Sequence, residues 1–200
     1  MKQVIFHQTG LPSEVLQLEE APMPQPKPHE VRIKVTARNI NPSDIMFVRG
    51  MYGITPKLPS SAGFEGAGVV DASDESNSIP VGTRVIFTAI GTWKEYVCIP
   101  AALVIPTPQG MTDEVACQAF VNPMTAYGMI EEAGLQAGQW LLITAGASAF
   151  GKFAIQICIP VKVNTDSICI NIFSSRGSTR SRCSKQCARP QLTRREHSSR

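Results

Sequence analysis

The chain has 200 residues, 43% apolar and 18% charged, with a formal net charge of +3. That length allows one good core or two small ones, and the composition is that of a globular protein. No apolar run has the ~20 residues of a spanning helix, and Met1–Gln8 lacks the apolar core and small-residue cleavage site of a secretory signal; a cytoplasmic or organelle-matrix setting is expected, with no membrane partner.

In chain order, a short strand is expected at Gln3–Phe6. The proline-rich stretch Ala21–Pro28 then forms an extended connection. Val31, Ile33, Val35 and Ala37 alternate with Arg32, Lys34, Thr36 and Arg38, a period of two that describes a strand with one buried and one wet face. Further strands are expected at Ala67–Asp71, Thr83–Thr88 and Thr92–Ile99, with Pro80-Val81-Gly82-Thr83 as a turn, and together they suggest a partly open barrel. Asn122-Pro123 opens a helix, the asparagine as cap and the proline in the first turn, with Met124, Tyr127 and Ile130 on one face and Gly134 as terminator. Trp140–Ile143 reads as a strand, Thr144–Gly151 as a tight turn and Lys152–Cys158 as a helix. Small residues in such a turn let the backbone approach a diphosphate, whose charge meets the free N–H groups of the following helix. The same pattern also suits an ordinary buried strand-to-helix turn, and Ala149 stands where many dinucleotide-binding turns carry glycine.

Charge divides the chain at Cys158. Up to there ten Lys/Arg face fourteen Asp/Glu, whereas from Ile159 onward nine face two. From Ser174 the sequence is mostly Arg and Ser with Leu192 its only large aliphatic residue, too little apolar surface to offset the ordering of its backbone, so a disordered basic tail is expected. The six cysteines are scattered, only Cys183 and Cys187 lying close together, and no disulfide framework is expected.

Six segments carry a resemblance in their order: Asn39–Asp44, Val48–Gly53, Gly63–Val70, Val81–Val85, Asn122–Tyr127 and the glycine turn. Over roughly the first 158 residues the chain resembles medium-chain dehydrogenase/reductases, in particular the zinc-free branch that contains NADPH:quinone reductases and 2-enoyl thioester reductases. The resemblance implies a mixed α/β fold. A GroES-like catalytic domain is expected over residues 1–121, a partial Rossmann NADPH-binding domain over 122–173, and the basic tail over 174–200.

Zinc-using members of that superfamily place a cysteine ligand near the first motif and a histidine beside the glutamate of the third. Here those places hold Asn41 to Asp44 and Phe64 beside Glu65, and phenylalanine cannot ligate. His7 and His29 are isolated, and no metal is expected. The resemblance makes Tyr52, in Arg49-Gly50-Met51-Tyr52-Gly53, the candidate proton donor for reduction of an activated carbon–carbon double bond, or else a loop tyrosine covering the barrel end. Trp93 is read either as a pocket wall or as core. Asn41 and Thr125 lie in motifs that face the nicotinamide in relatives, or act as a turn asparagine and a first-turn helix threonine. Thr144, Gly146, Ala147, Ser148, Ala149, Phe150 and Gly151 would hold the pyrophosphate.

Beyond Cys158, Ser167–Phe173 is a candidate second Rossmann strand, and Ser174, Ser175 and Arg176 would then meet a 2′-phosphate and favour NADPH over NADH. Ile159-Pro160 stops the preceding helix and no third strand follows, so the cofactor fold is expected to be truncated and to leave an apolar edge open to association with a second copy. Three explanations of the tail stand side by side: a shifted frame or alternative terminus, a nucleic-acid-binding tail without aromatic residues for stacking, and a non-catalytic interaction protein. The expected function is NADPH-dependent reduction of a 2-enoyl thioester, with a quinone as the alternative small-molecule substrate and an inactive chain as the alternative outcome of the truncated fold.

Overall fold

The computed structural model describes residues 1–73, 79–134, 141–158 and 168–170, and the chain forms two compact units, Met1–Val121 and Asn122–Arg200.

The first unit opens with an antiparallel ribbon of β1 (Lys2–Ile5) and β2 (Gln17–Glu20), separated by one turn of helix, α1 (Pro12–Val15). β3 (Glu30–Ala37) follows, then α2 (Pro42–Val48), β4 (Glu65–Ser73), β5 (Arg84–Thr88), β6 (Tyr96–Pro100), β7 (Val104–Pro106) and the short α3 (Asp113–Ala116). Five strands make one curled antiparallel sheet in the order β6-β3-β4-β5-β7. The alternation in β3 decides how it sits: Val31, Ile33 and Val35 are buried against Val70, Val85, Phe87, Val97 and Ile99. Each such side chain contributes about 1.5–3 kcal/mol on leaving water. The polar face of the strand is used too. Arg32 pairs with Asp71 at 2.6 Å, lies over the Tyr96 ring and donates to the Pro24 carbonyl, so one guanidinium fastens the proline-rich connection to the sheet.

Several strand boundaries differ from expectation, β4 being longer at both ends than Ala67–Asp71. The sixth strand begins at Tyr96, because Thr92 and Trp93 turn back instead: the Trp93 amide donates to Ala62 O and the Lys94 amide to Thr92 O. β1 ends at Ile5, beyond which Phe6 makes a single bridge to Ser60.

In the second unit α4 (Val121–Glu132) leads out of the first, and β8 (Leu141–Ile143) is followed by α5 (Ala149–Cys158) and β9 (Ile168–Ile170), which pairs with β8 in parallel. The expected strand–turn–helix is therefore present. α4 starts at Val121, two residues earlier than a cap at Asn122 implies, so Asn122 lies in the first turn and is not the cap. Its buried face also differs. Ala126 and Ile130, four residues apart, pack with Ala154 against Leu141, Ile143 and Phe150, whereas Met124 and Tyr127 are exposed. Gly134 closes the helix at φ 58°. Among the described residues no helix is long and apolar enough to cross a membrane. Ser174, Ser175, Arg176 and the basic tail lie outside the described residues.

Candidate functional site

In the first unit the candidate site is built where α2 ends and β4 begins. α2 stops in a left-handed turn: Gly50, at φ 70°, donates to Phe47 O, and Met51 donates five residues back to Met46 O. This pair of bonds is the Schellman arrangement, which needs a residue that tolerates positive φ at the position of Gly50. It turns the chain outward, leaving Tyr52 43% exposed with its ring 5.3 Å from that of Phe64. Phe64 in turn meets Phe47 edge-on at 5.4 Å, and Phe47 meets Phe6 at 5.9 Å. Tyr52 thus stands partly exposed on an aromatic column rooted in the core, a contact that restricts its ring.

Beneath it lies a polar cluster that the residue-by-residue reading missed. Glu65, the first residue of β4, is wholly buried. Its Oε1 accepts from Asn39 Nδ2 at 2.6 Å and Asn41 Nδ2 at 3.1 Å, and its Oε2 accepts from the amides of Phe120 and Val121 at 3.3 and 2.9 Å. Four donors, two of them at a helix start, offset the desolvation of the carboxylate. The one available signal was a charged residue inside the otherwise apolar Gly63–Val70 run. Asn41 is 7% exposed and precedes α2, where its amide N–H donates to Asp44 Oδ2 at 2.6 Å. Asp44 is itself buried, and its Oδ1 and Asn39 Oδ1 have no hydrogen-bond partner among the described residues. Burial pushes the Asp44 carboxyl up to about 6, the Asn41 amide pulling it down and the nearby Glu65 charge adding to the rise.

Trp93 lies in the core beside Phe47, Val48 and Ala62, and its indole N–H donates to Asn39 O at 3.2 Å. Of its two readings the structure places it in the core, with its polar edge steadying the loop before α2. Phe64 occupies the position beside Glu65. Among the described residues no group of three or more His, Cys, Asp or Glu side chains gathers that could hold a metal ion.

In the second unit the glycine turn is a capped, closely packed strand-to-helix connection. Ser148 Oγ accepts from the Gly151 amide at 3.0 Å and so caps α5, while the Lys152 amide reaches Ser148 O. Gly151 is fixed by contact: a Cβ there would lie 2.7 Å from both Ala145 O and Gly146 Cα. The turn is thereby pressed onto the first turn of the helix. Ala149 is helical, and the left-handed residue of the turn is Ala145, at φ 52°. Thr144, Ala147, Ser148 and Ala149 are exposed, Phe150 is half-buried and Gly146 is buried. The first amides of α5 have no carbonyl four residues back inside the helix, and a phosphate is a fitting partner for them. Thr125 lies on the exposed side of α4.

Residues 27–109 match the alcohol dehydrogenase GroES-like domain. The chain is similar to the synaptic vesicle membrane protein VAT-1 homolog of Rattus norvegicus, 37% identical over 74% of this chain and 37% of that protein. It is also similar to the mitochondrial enoyl-[acyl-carrier-protein] reductase of Xenopus tropicalis, 31% identical over 82% of this chain and 48% of the relative. Among solved structures, the quinone oxidoreductase of Thermus thermophilus, determined also in complex with NADPH, superposes with a TM-score of 0.71 at 26% identity, over 85% of this chain and 52% of the other. The chain thus spans about half the length of these relatives or less.

Proposed function

The chain belongs to the zinc-free branch of the medium-chain dehydrogenase/reductase superfamily, and on that footing we propose that it binds NADPH and serves in the reduction of an activated carbon–carbon double bond, its substrate a 2-enoyl thioester. The observation that carries the cofactor half of this reading is the turn Thr144–Gly151. Its backbone is packed so closely at Gly151 that only glycine fits, its serine caps the helix, and its exposed rim offers amides to a diphosphate. Thr125 and the loop of Asn41 are the further candidates for contact with the nicotinamide. Since Asn41 Nδ2 is engaged by Glu65, that residue acts through the shape of its loop.

NADPH, when bound, supplies the hydride that adds to the β-carbon. The protein must then deliver a proton to the α-carbon, where negative charge develops, and the Tyr52 phenol is the donor we assign. It is exposed, its ring is held by Phe64, and a phenolic O–H can donate to a developing enolate. A quinone is the second reading, favoured by the similarity to the Thermus thermophilus enzyme; Tyr52 would then be a wall against which a planar acceptor lies. We place the protein in the cytoplasm or an organelle matrix.

A fluorescence titration of the 200-residue chain with NADPH, and with NADH for comparison, tests the cofactor assignment. Saturable binding that prefers NADPH is the expected result. Absence of binding to either nucleotide would overturn it.

A further inference from the structure

The loop between β3 and α2 and the first turn of that helix hold more buried acceptors than donors. Glu65 fills both of its oxygens, one with the side-chain amides of Asn39 and Asn41 and the other with the Phe120 and Val121 amides, so neither has room for a proton of its own. Asp44 is equally buried but differently served. Its Oδ2 accepts from the Asn41 amide at 2.6 Å, whereas its Oδ1 has no partner among the described residues, and neither has Asn39 Oδ1. Buried acceptors without donors are costly, and a proton on Asp44 Oδ1 is the donor that the side chains themselves can supply. The surroundings favour that proton. Glu65 on β4 is the charge that acts on Asp44, against the pull of the Asn41 and Phe64 amides; Phe47 and Val48 on its own helix are apolar and buried, and no Lys, Arg or His forms an ion pair with it among the described residues.

We infer that Asp44 is a proton-operated latch on α2: with the proton in place the first turn of the helix is closed, and loss of the proton puts a second buried negative charge beside that of Glu65 and favours opening of the turn. The hydrogen bonds define what opens. The Asp44 and Ile45 amides both donate to Asn41 O, and the far end of the same seven-residue helix, through the Gly50 and Met51 amides, sets the Tyr52 ring against Phe64. The order of the Tyr52 loop is thereby tied to pH. Burial raises the Asp44 carboxyl from 3.8 to about 6, so the latch holds fully below about pH 3.8 and weakens as pH rises through about 6.

Amide exchange of the 200-residue chain from about pH 4 to 8, each rate divided by that of an unstructured amide at the same pH, reads the opening directly. At Ile45 the opening is expected to increase on the order of fiftyfold over that range, with a smaller increase at Ile33 in β3 and none in α5. Asp44→Asn, which places an amide donor where the proton sits, is expected to keep the low-pH level throughout. A wild type without the increase, or an Asp44→Asn variant that retains it, would overturn the inference. An equal increase at Ile33 would do so as well, since the proton would then act on the unit as a whole. Should Asp44→Asn not fold, carbon-13 spectra of the wild-type carboxyls decide. Asp44 is expected to titrate near pH 6, with the Tyr52 ring signals moving at the same midpoint. Titration at the ordinary aspartate value of about 4, or Tyr52 signals that do not follow it, would overturn the latch.

Discussion

Tyr52 and Asp44 belong to the same loop region and are governed by opposite surroundings. The Tyr52 side chain is open to solvent while its ring rests on Phe64. Replacing it with phenylalanine keeps the aromatic column and removes only the proton donor. Tyr52→Phe is therefore expected to lower enoyl thioester reduction by at least about a hundredfold, the lower range for loss of a general acid, with NADPH affinity unchanged. If quinone reduction survives in the same variant, the wall reading of Tyr52 is the better one. Asp44 is the converse, a carboxyl drawn out of water with one oxygen unpartnered among the described residues. Its raised value, about 6 against 3.8, means that the folded chain keeps a proton that the unfolded chain releases first. The stability this contributes is fully present below about pH 3.8 and is lost as pH rises through about 6, a change on the order of 3 kcal/mol. Asp44→Asn preserves the acceptor for the Asn41 amide and should flatten the dependence of stability on pH across that window. Denaturant midpoints measured from about pH 4 to 7 check this, and parallel curves for variant and wild type would refute it. At this scale the chain disclosed its candidates through short local motifs, as at Tyr52 and Ser148. Glu65 stayed hidden because its partners come from residues 39–41 and 120–121, and no local pattern brings those together.

Among elements, the glycine turn and α5 were the most legible. A strand, a small-residue turn and an apolar-faced helix follow one another over Leu141–Cys158, and each depends on neighbours only a few residues away. The turn's constraint nevertheless falls elsewhere than its spacing suggests: Ala149 is accommodated in the helix, whereas Ala145 takes the left-handed conformation and Gly151 bears the close contact. Gly151→Ala must push a methyl group into backbone at 2.7 Å, where no flexible side chain can give way. It is expected to destabilise the second unit by about 1–3 kcal/mol and to abolish NADPH binding, as seen in a thermal melt and the fluorescence titration. Retention of wild-type affinity would remove the turn from the cofactor site. α4 was less legible. Its signals placed the cap at Asn122 and its apolar face at Met124, Tyr127 and Ile130, yet the helix begins at Val121 and buries Ala126 and Ile130. Helical periodicity offers several apolar stripes to a sequence this rich in apolar and small residues, and the packing of Ala154, Leu141 and Ile143 selects one.

For the molecule as a whole, the two units have separate cores. The first buries its sheet face and the aromatic column, while the core described in the second is built from α4, α5 and β8. That second unit leaves Met124, Met129 and Leu142 more than half exposed. Apolar surface of this kind favours association, and the chain is expected to show a mass that rises with concentration in light scattering, reduced by Leu142→Gln. A monomer at every accessible concentration, in wild type and variant alike, would contradict this.

By itself the sequence determined the family, the period-two strand at the heart of the sheet, the strand–turn–helix of small residues and the non-ligating side chain at Phe64, because each is written in residue type and short-range spacing. Only the tertiary structure decided that Glu65 joins the Asn39–Asp44 loop to the start of α4, that Asp44 is buried with one oxygen unpartnered among the described residues, that Trp93 is core, and which stripe of α4 is buried. Those outcomes depend on which distant segments exclude water together, and burial is a property of the folded assembly that no single stretch of sequence carries.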